Sequence, residues 1–403
     1  MVTTLAGRCG TGGVRHRQDE IMTEPVDFLI IGAGIAGAGL AWALAAGATP
    51  AHAPRMRILE AEEHPGYHTT GRSAAMFSET YGNDTIRALS RASRPFFAAP
   101  PAGFSDAPLW SARAWLYIAA SSQLDTLKAW YEHARTLGPV LEWLETDAIL
   151  RLAPILRESH AANAILEPGG ADLDVHALHQ GFLRAARRSG TEILTHARVE
   201  RIERSDAGWR VLTQDGRSMS GRVLVNAAGA WGDQVATLAG AAPVGLEPKR
   251  RTAIIFPAPA DQDLKDMPVV VDIDEHFYFK PEAGKLLGSP ADETPSEPCD
   301  AQPEELDVAI AAARIEEAVR FPITRIERRW AGLRTFAPDR SPVVGYDDRV
   351  NNFFWLVGQG GYGIQTAPAL SRTAAALARR EALPADIRTA GVEVAELAVQ
   401  RLR

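Results

Sequence analysis

Asp27-Phe28-Leu29-Ile30-Ile31-Gly32-Ala33-Gly34-Ile35-Ala36-Gly37 decides the fold of this chain. An apolar run of strand length ends directly on Gly-x-Gly-x-x-Gly, and an Ala-rich segment of helical length follows it. Glycines at 32, 34 and 37 let the backbone turn tightly, approach a pyrophosphate at the start of the helix and pack that helix closely on its strand. A second strand is expected over 55–59, with the helix over 36–46, which completes a βαβ unit. Glu60 closes that second strand, in the place where an acid accepts from ribose hydroxyls.

The same region imitates a membrane anchor, because residues 28–54 contain no Asp, Glu, Lys or Arg. Its many glycines and its scarcity of large aliphatic side chains favour the nucleotide motif, and no integral membrane segment is expected. Residues 1–21 lack periodicity and apolar content, so they read as a disordered extension. Cys9 and Cys299 are the only cysteines, too few for a disulfide framework or a metal cage; that suits a reducing cytoplasm, and no metal is expected. A net charge of -7 argues against a nucleic-acid partner.

At 403 residues the chain has length for two domains. Helices are expected over 85–100, 122–137 and 175–189, and strands over 114–119, 192–194, 199–204, 209–213 and 222–226. The stretch 243–327 reads as mostly β, with strands over 252–256, 269–273, 277–280 and 286–287. A last strand, 353–357, runs into Gly358-Gln359-Gly360-Gly361 and then a helix. The fold class is therefore α/β, α+β overall. A Rossmann-like nucleotide domain is expected from 22–105, 167–236 and 328–403, and a substrate domain with a mixed, largely antiparallel sheet from 106–166 and 237–327.

Four further runs carry a resemblance: Gly66-Tyr67-His68-Thr69-Thr70-Gly71-Arg72-Ser73-Ala74-Ala75, Asn226-Ala227-Ala228-Gly229-Ala230-Trp231, Trp330-Ala331-Gly332-Leu333-Arg334, and Gly358 through Gly363-Ile364-Gln365. In this order they resemble the D-amino-acid oxidase superfamily of flavoproteins, nearest to bacterial D-arginine dehydrogenases and related D-amino-acid dehydrogenases. The resemblance implies non-covalent FAD in a nucleotide domain of the glutathione-reductase type. It assigns the cofactor to Gly32, Gly34, Ile35, Ala36, Gly37, Glu60, Gly71, Arg72, Ser73, Ala74, Ala75, Met76, Val199, Ala228, Gly229, Trp231, Gly332, Gly360, Gly361, Tyr362, Gly363, Ile364 and Gln365. Chemistry agrees: a Gly-rich loop before a helix directs N–H groups at the electron-rich end of a flavin, and Arg72 and Ser73 suit phosphate oxygens.

The resemblance also implies that Arg251 and Arg334 hold a substrate carboxylate, that Tyr81 and Tyr278 line its pocket, and that the Gly361 carbonyl accepts from its amine. A planar guanidinium suits the carboxylate, while Arg250 reads as a surface ion-pair partner. His276 is a candidate proton carrier, although a lone histidine is more often structural. Two departures stand out. Met76 replaces a histidine near the flavin, and Trp115 replaces the glutamate that pairs a guanidinium substrate, so Asp274 or Glu275 would have to supply that charge. The implied reaction is hydride removal from the α-carbon of a D-amino acid, giving an imino acid and then a 2-oxo acid, with oxygen or a quinone-like carrier as electron acceptor. Rivals are oxidation of an N-alkyl or cyclic amino acid, an NAD-dependent enzyme, and a non-catalytic flavoprotein subunit.

Overall fold

The computed structural model describes residues 24–46, 53–205 and 208–403, so the expected extension 1–21 lies outside the described residues. Its first layer is a sheet in which Val26–Ile31 lies between Ser218–Asn226 and Met56–Leu59 in parallel register, Ile31 opposite both Asn226 and Leu59. Glu192–Leu194 extends it at one end, Gly208–Thr213 and Val199–Ser205 at the other, and Phe353–Val357 pairs parallel with Ser218–Asn226. Strands covered on both faces read as unbroken apolar runs. Here Phe28 and Ile30 pack with Leu40, Leu44 and Leu370 on one face, and Leu29 and Ile31 with Trp209 and Trp355 on the other.

The helix Ile35–Ala45 follows the Gly motif directly and is flanked by Val175–Arg188 and Ala367–Ala378. Gly37 sits in that packing: a Cβ there would lie 2.0 Å from the Gly32 carbonyl oxygen.

A second sheet runs Thr294–Pro295, Glu247–Pro257, Lys285–Ser289, Tyr278–Glu282, Val269–Asp272, Trp115–Ala119, Asn163–Glu167, Glu142–Glu145. Arg328–Phe336 also pairs antiparallel with Glu247–Pro257. The second sheet therefore takes a strand from the segment expected with the nucleotide domain. One face packs Ile254, Phe256, Phe279 and Leu286 on the helix Glu305–Ala318 through Val308, Ala311 and Ile315. That helix corrects the reading of 243–327 as mostly β. The helix Thr146–Leu152 was likewise not expected.

Among the described residues no helix is long and apolar enough to cross a membrane. Gly37→Ala is expected to lower stability by about 1–3 kcal/mol, the usual cost of overpacking, and to reduce flavin retained on purification. Thermal melts and the visible flavin band check this; a variant equal to wild type in both would refute the packing role.

Candidate active site

The strands 26–31, 56–59 and 218–226 end together, and a cleft opens beyond their carboxyl ends, the usual ligand position in such sheets. At one end it is lined by Gly32, Glu60, His68, Val199, Ala228 and Trp231. At the other lie Ile35, Ala36, Ser73, Ala74, Gly332, Gly360, Gly361, Gly363 and Ile364, together with Arg251, Tyr278 and Arg334. Gly34, Thr69, Thr70, Ala227, Gly229 and Ala230 line both ends, so the cleft is continuous.

Glu60 Oε2 accepts from Ala33 N at 2.9 Å and Oε1 from Glu62 N at 3.0 Å, so the acid anchors the Gly-rich loop while facing the cleft. Thr70 Oγ1 accepts from Ile35 N at 3.0 Å, and the Thr69 hydroxyl donates to the Leu333 carbonyl at 2.7 Å. These threonines join the helix start to the second sheet. The sequence does not reveal this role, because nothing in the spacing of Thr69 and Thr70 says which way they point. His68 was missed too: its Nε2 bonds Glu62 Oε1 at 3.1 Å, and its buried Nδ1 has no protein partner.

At the far end the strand register sets the chemistry. Arg251 lies opposite Gly332 and Lys249 opposite Arg334. Directly opposed residues share a face, and alternation then puts Arg251 and Arg334 on the same one. Arg250, on the reverse face, pairs with Asp307 at 2.8 Å and with Glu304. Arg251 is 8% exposed and its Nε has no partner. Burial and the like charge of Arg334 push its pKa down, whereas Arg334, buried too, is held above its ordinary value by Tyr81 and Tyr278. Both guanidinium groups stay charged at neutral pH. Arg334 Nη1 donates to the Tyr81 hydroxyl at 3.1 Å. Gly361 lies flat on it, since a Cβ there would fall 2.9 Å from Nη1. Burial, with Tyr81 beside it, pushes the Tyr362 phenol up to about 12, so it remains protonated.

Several expected cofactor residues also hold the fold together. Arg72 lines the cleft, and its guanidinium donates to the Ala301 carbonyl at 2.7 Å, the Ala331 carbonyl at 3.1 Å and the Asp300 carboxylate, which fastens its turn to the second sheet. Gln365 is buried on Ser78 and Ser90. Gly37, Gly71, Ala75, Met76, Tyr81 and Tyr362 stand behind the cleft rather than on its walls. Met76 and Trp115 pack in the apolar cluster around Tyr278. His276 occupies an exposed turn with Asp274 and Glu275, away from the cleft, so it carries no proton there.

The acid nearest Trp115 is Glu167, opposite it in register. Its carboxylate accepts from Ser78 Oγ at 2.8 Å, Thr80 Oγ1 at 2.6 Å and Glu79 N at 2.8 Å, fixing the turn that presents Tyr81.

The residues present fit FAD. The cleft is long, Gly229 at φ 55 has open space where a Cβ would stand, the buried His68 Nδ1 is unpartnered, and an acid waits at the nucleotide end.

Comparison with known proteins agrees. A profile of the FAD dependent oxidoreductase family DAO matches residues 27–377. The chain is 24% identical over 372 residues to 4-methylaminobutanoate oxidase (formaldehyde-forming) of Paenarthrobacter nicotinovorans, covering 86% of this chain and 43% of that protein. It is 26% identical over 260 residues to a hydrogen cyanide synthase subunit of Pseudomonas aeruginosa, covering 62% and 59%. The chain thus spans about two fifths to three fifths of these relatives. The solved glycine oxidase of Geobacillus kaustophilus has the same fold, with TM-score 0.81 and 21% identity over 94% of this chain and 99% of that one.

Burial raises the Glu167 pKa above its ordinary value, the hydrogen bonds opposing it only in part. The native state then holds this proton at pH values where the unfolded chain has lost it, so stability falls as pH rises from the ordinary glutamate range through the raised value. Glu167→Gln is expected to lose less stability than wild type as pH rises from the ordinary glutamate range through the raised value. Melting curves of both proteins across that window measure the gap, and a gap that does not change with pH would exclude the raised pKa.

Proposed function

The chain belongs to the DAO family of FAD dependent oxidoreductases, and from that premise we propose that it oxidises the carbon–nitrogen bond of a small D-amino acid. The observation that carries this is the pair of buried guanidinium groups, Arg251 and Arg334, on one sheet face at the Gly360–Gly361 end of the cleft. Two cations in a water-poor space favour an anion strongly, and a carboxylate matches the guanidinium in shape and charge.

Each residue has a part. Arg334 takes one carboxylate oxygen and Arg251 the other, using the Nε that has no protein partner. Tyr81 accepts from Arg334 and so holds that guanidinium in place from behind the cleft wall. Tyr278 closes the wall beside Arg251. The Gly361 carbonyl accepts from the amine, so that carboxylate and nitrogen are fixed together and the α-hydrogen is presented in one direction. FAD supplies the two-electron acceptor for that hydrogen as hydride. The amine must arrive without its extra proton, since among the described residues no Asp, Glu or His lines this end to remove it. Its lone pair then forms the C=N bond, and water hydrolyses the imino acid to a 2-oxo acid and ammonia.

A second reading uses the same clamp: an N-alkyl or cyclic amino acid. The relatives named for 4-methylaminobutanoate and dimethylglycine favour it. An anaerobic screen of D-leucine, D-phenylalanine, D-arginine, sarcosine and L-proline separates the two by which of them bleaches the flavin.

Arg334→Met is expected to weaken substrate binding by about 2–5 kcal/mol, the cost of truncating one side of a buried charged contact, while FAD stays bound. Unchanged half-saturation would remove Arg334 from the site. Because Glu167 is engaged with three donors and no other acid lines the substrate end among the described residues, D-arginine is expected to be a poorer substrate than D-leucine or D-phenylalanine. The ratio of kcat/KM values decides it, and D-arginine in first place would overturn the assignment of the wall.

A further inference from the structure

Glu293 reaches Arg251 as an ion-pair partner, and it is itself restrained. Glu293 lies 3.4 Å from Arg251 Nη2 through Oε1. It is placed there by the residue before it: Asp292 accepts from Thr252 N at 2.7 Å and from Thr252 Oγ1 at 3.0 Å, which ties the segment to the strand that carries Arg251. Arg340 grips the same carboxylate with both ends of its guanidinium, Nη2 to Oε1 at 2.8 Å and Nη1 to Oε2 at 3.0 Å. Lys249 adds a cation at 3.6 Å. Arg340 is in turn seated 4.0 Å over the Phe336 ring, at the end of the strand that carries Arg334. Glu293 is about a quarter exposed and Arg340 less than half exposed, whereas Arg251 is buried, so this pair stands on the solvent side of Arg251.

We propose that Glu293 is an internal competitor for Arg251, and that Arg340 holds it off so that an incoming carboxylate takes the guanidinium instead. The inference rests on the carboxylate clamp assigned above and names the residues that set its affinity. A carboxylate at 3.4 Å makes a long, weak contact, whereas the two bonds to Arg340 are of ordinary length and bidentate. Removing Arg340 leaves Glu293 with Arg251 and Lys249 as its remaining cations, and it closes on the clamp. Removing the Glu293 charge leaves Arg251 facing Arg334 without compensation, which raises its demand for an external anion.

These effects have opposite signs. Glu293→Gln is expected to tighten carboxylate binding about three- to tenfold, and Arg340→Gln to weaken it by a similar factor. The double variant should bind more tightly than wild type, as Glu293→Gln does, because Arg340 holds off a carboxylate that the double variant no longer carries; loss of the Arg340 contact with Tyr362 is common to both Arg340 variants. A merely structural ion pair would give no such reversal: both single variants would weaken binding and lower the melting temperature together.

The test titrates FAD-loaded protein with 4-methylpentanoate, a carboxylate with no amine to oxidise, and follows the visible flavin spectrum. Opposite shifts in Kd for the two single variants, with the double variant binding more tightly than wild type, support the proposal. Equal Kd values, or weakening in both, overturn it while leaving the clamp in place. If wild type does not bind, or if Arg334→Met binds as tightly as wild type, the clamp reading itself has failed and this inference falls with it.

Discussion

Two cations buried on one face of one pair of strands are the constraint around which the substrate end is arranged. Arg251 and Arg334 share that face because Glu247–Pro257 and Arg328–Phe336 run antiparallel in a fixed register. A shift of one residue would exchange Arg251 for Arg250 and carry the clamp to the face that packs on the helix Glu305–Ala318. Neither arginine can relieve the repulsion by losing its proton. The surrounding residues therefore do so: Tyr81 accepts from Arg334, and Glu293 stands at a distance from Arg251. What remains is a site that is better satisfied with an anion than without one.

The cofactor cleft and this clamp are joined by the segment from Gly66 to Tyr81. Thr70 caps the helix start, Thr69 and Arg72 hold the backbone of Arg328–Phe336, and Tyr81 reaches Arg334. Trp330 returns the contact, its indole N–H donating to the Arg72 carbonyl at 2.9 Å. Groups that a phosphate-binding reading assigns to the cofactor thus fix the distance between nucleotide fold and substrate sheet. Positioning of this kind matters because a displacement of about 1 Å at the reacting atoms costs a large factor in rate.

The parts of this arrangement visible in the sequence are those set by local rules. The βαβ unit around residues 26–59 follows from an apolar run, a glycine motif and an Ala-rich helix, and its bounds in the structure differ by a residue or so from those expected. The strand Phe353–Val357 and the helix Val175–Arg188 are equally plain, the latter with Leu178, Phe182 and Leu183 on its buried side. Glu305–Ala318 is the less obvious element: Val308, Ala311, Ile315 and Ala318 recur at helical spacing, but the segments on either side of it read as strands and drew the whole stretch into the β reading. Side-chain direction was the harder matter. Gln365 stands in the right motif but is buried on Ser78 and Ser90, Arg72 reaches the cleft yet spends its guanidinium on Ala301, Ala331 and Asp300, and His276 sits in an exposed turn two positions before the strand Tyr278–Glu282. A motif specifies residue types; the register of distant strands, which no short window contains, specifies where they aim.

The wall beside the clamp shows the same division between type and direction, and it bears on what the pocket accepts. Trp115 stands opposite Glu167, so an acid does exist on the strand pair where a guanidinium-binding carboxylate is missing. Yet that acid is buried among Ser78, Thr80 and the Glu79 amide, and each of those hydrogen bonds stabilises by about 1 kcal/mol net and costs more if its partner is left buried and unpaired. Turning Glu167 toward a ligand would forfeit those bonds and release the turn that presents Tyr81 to Arg334. Attraction of a cation to the indole face, at about 0.5–2 kcal/mol, is too small to compensate for that loss or for stripping water from the cation. The Glu167 carboxyl therefore fixes the turn that presents Tyr81 to Arg334, and among the described residues no Asp or Glu lines that end of the cleft in its stead.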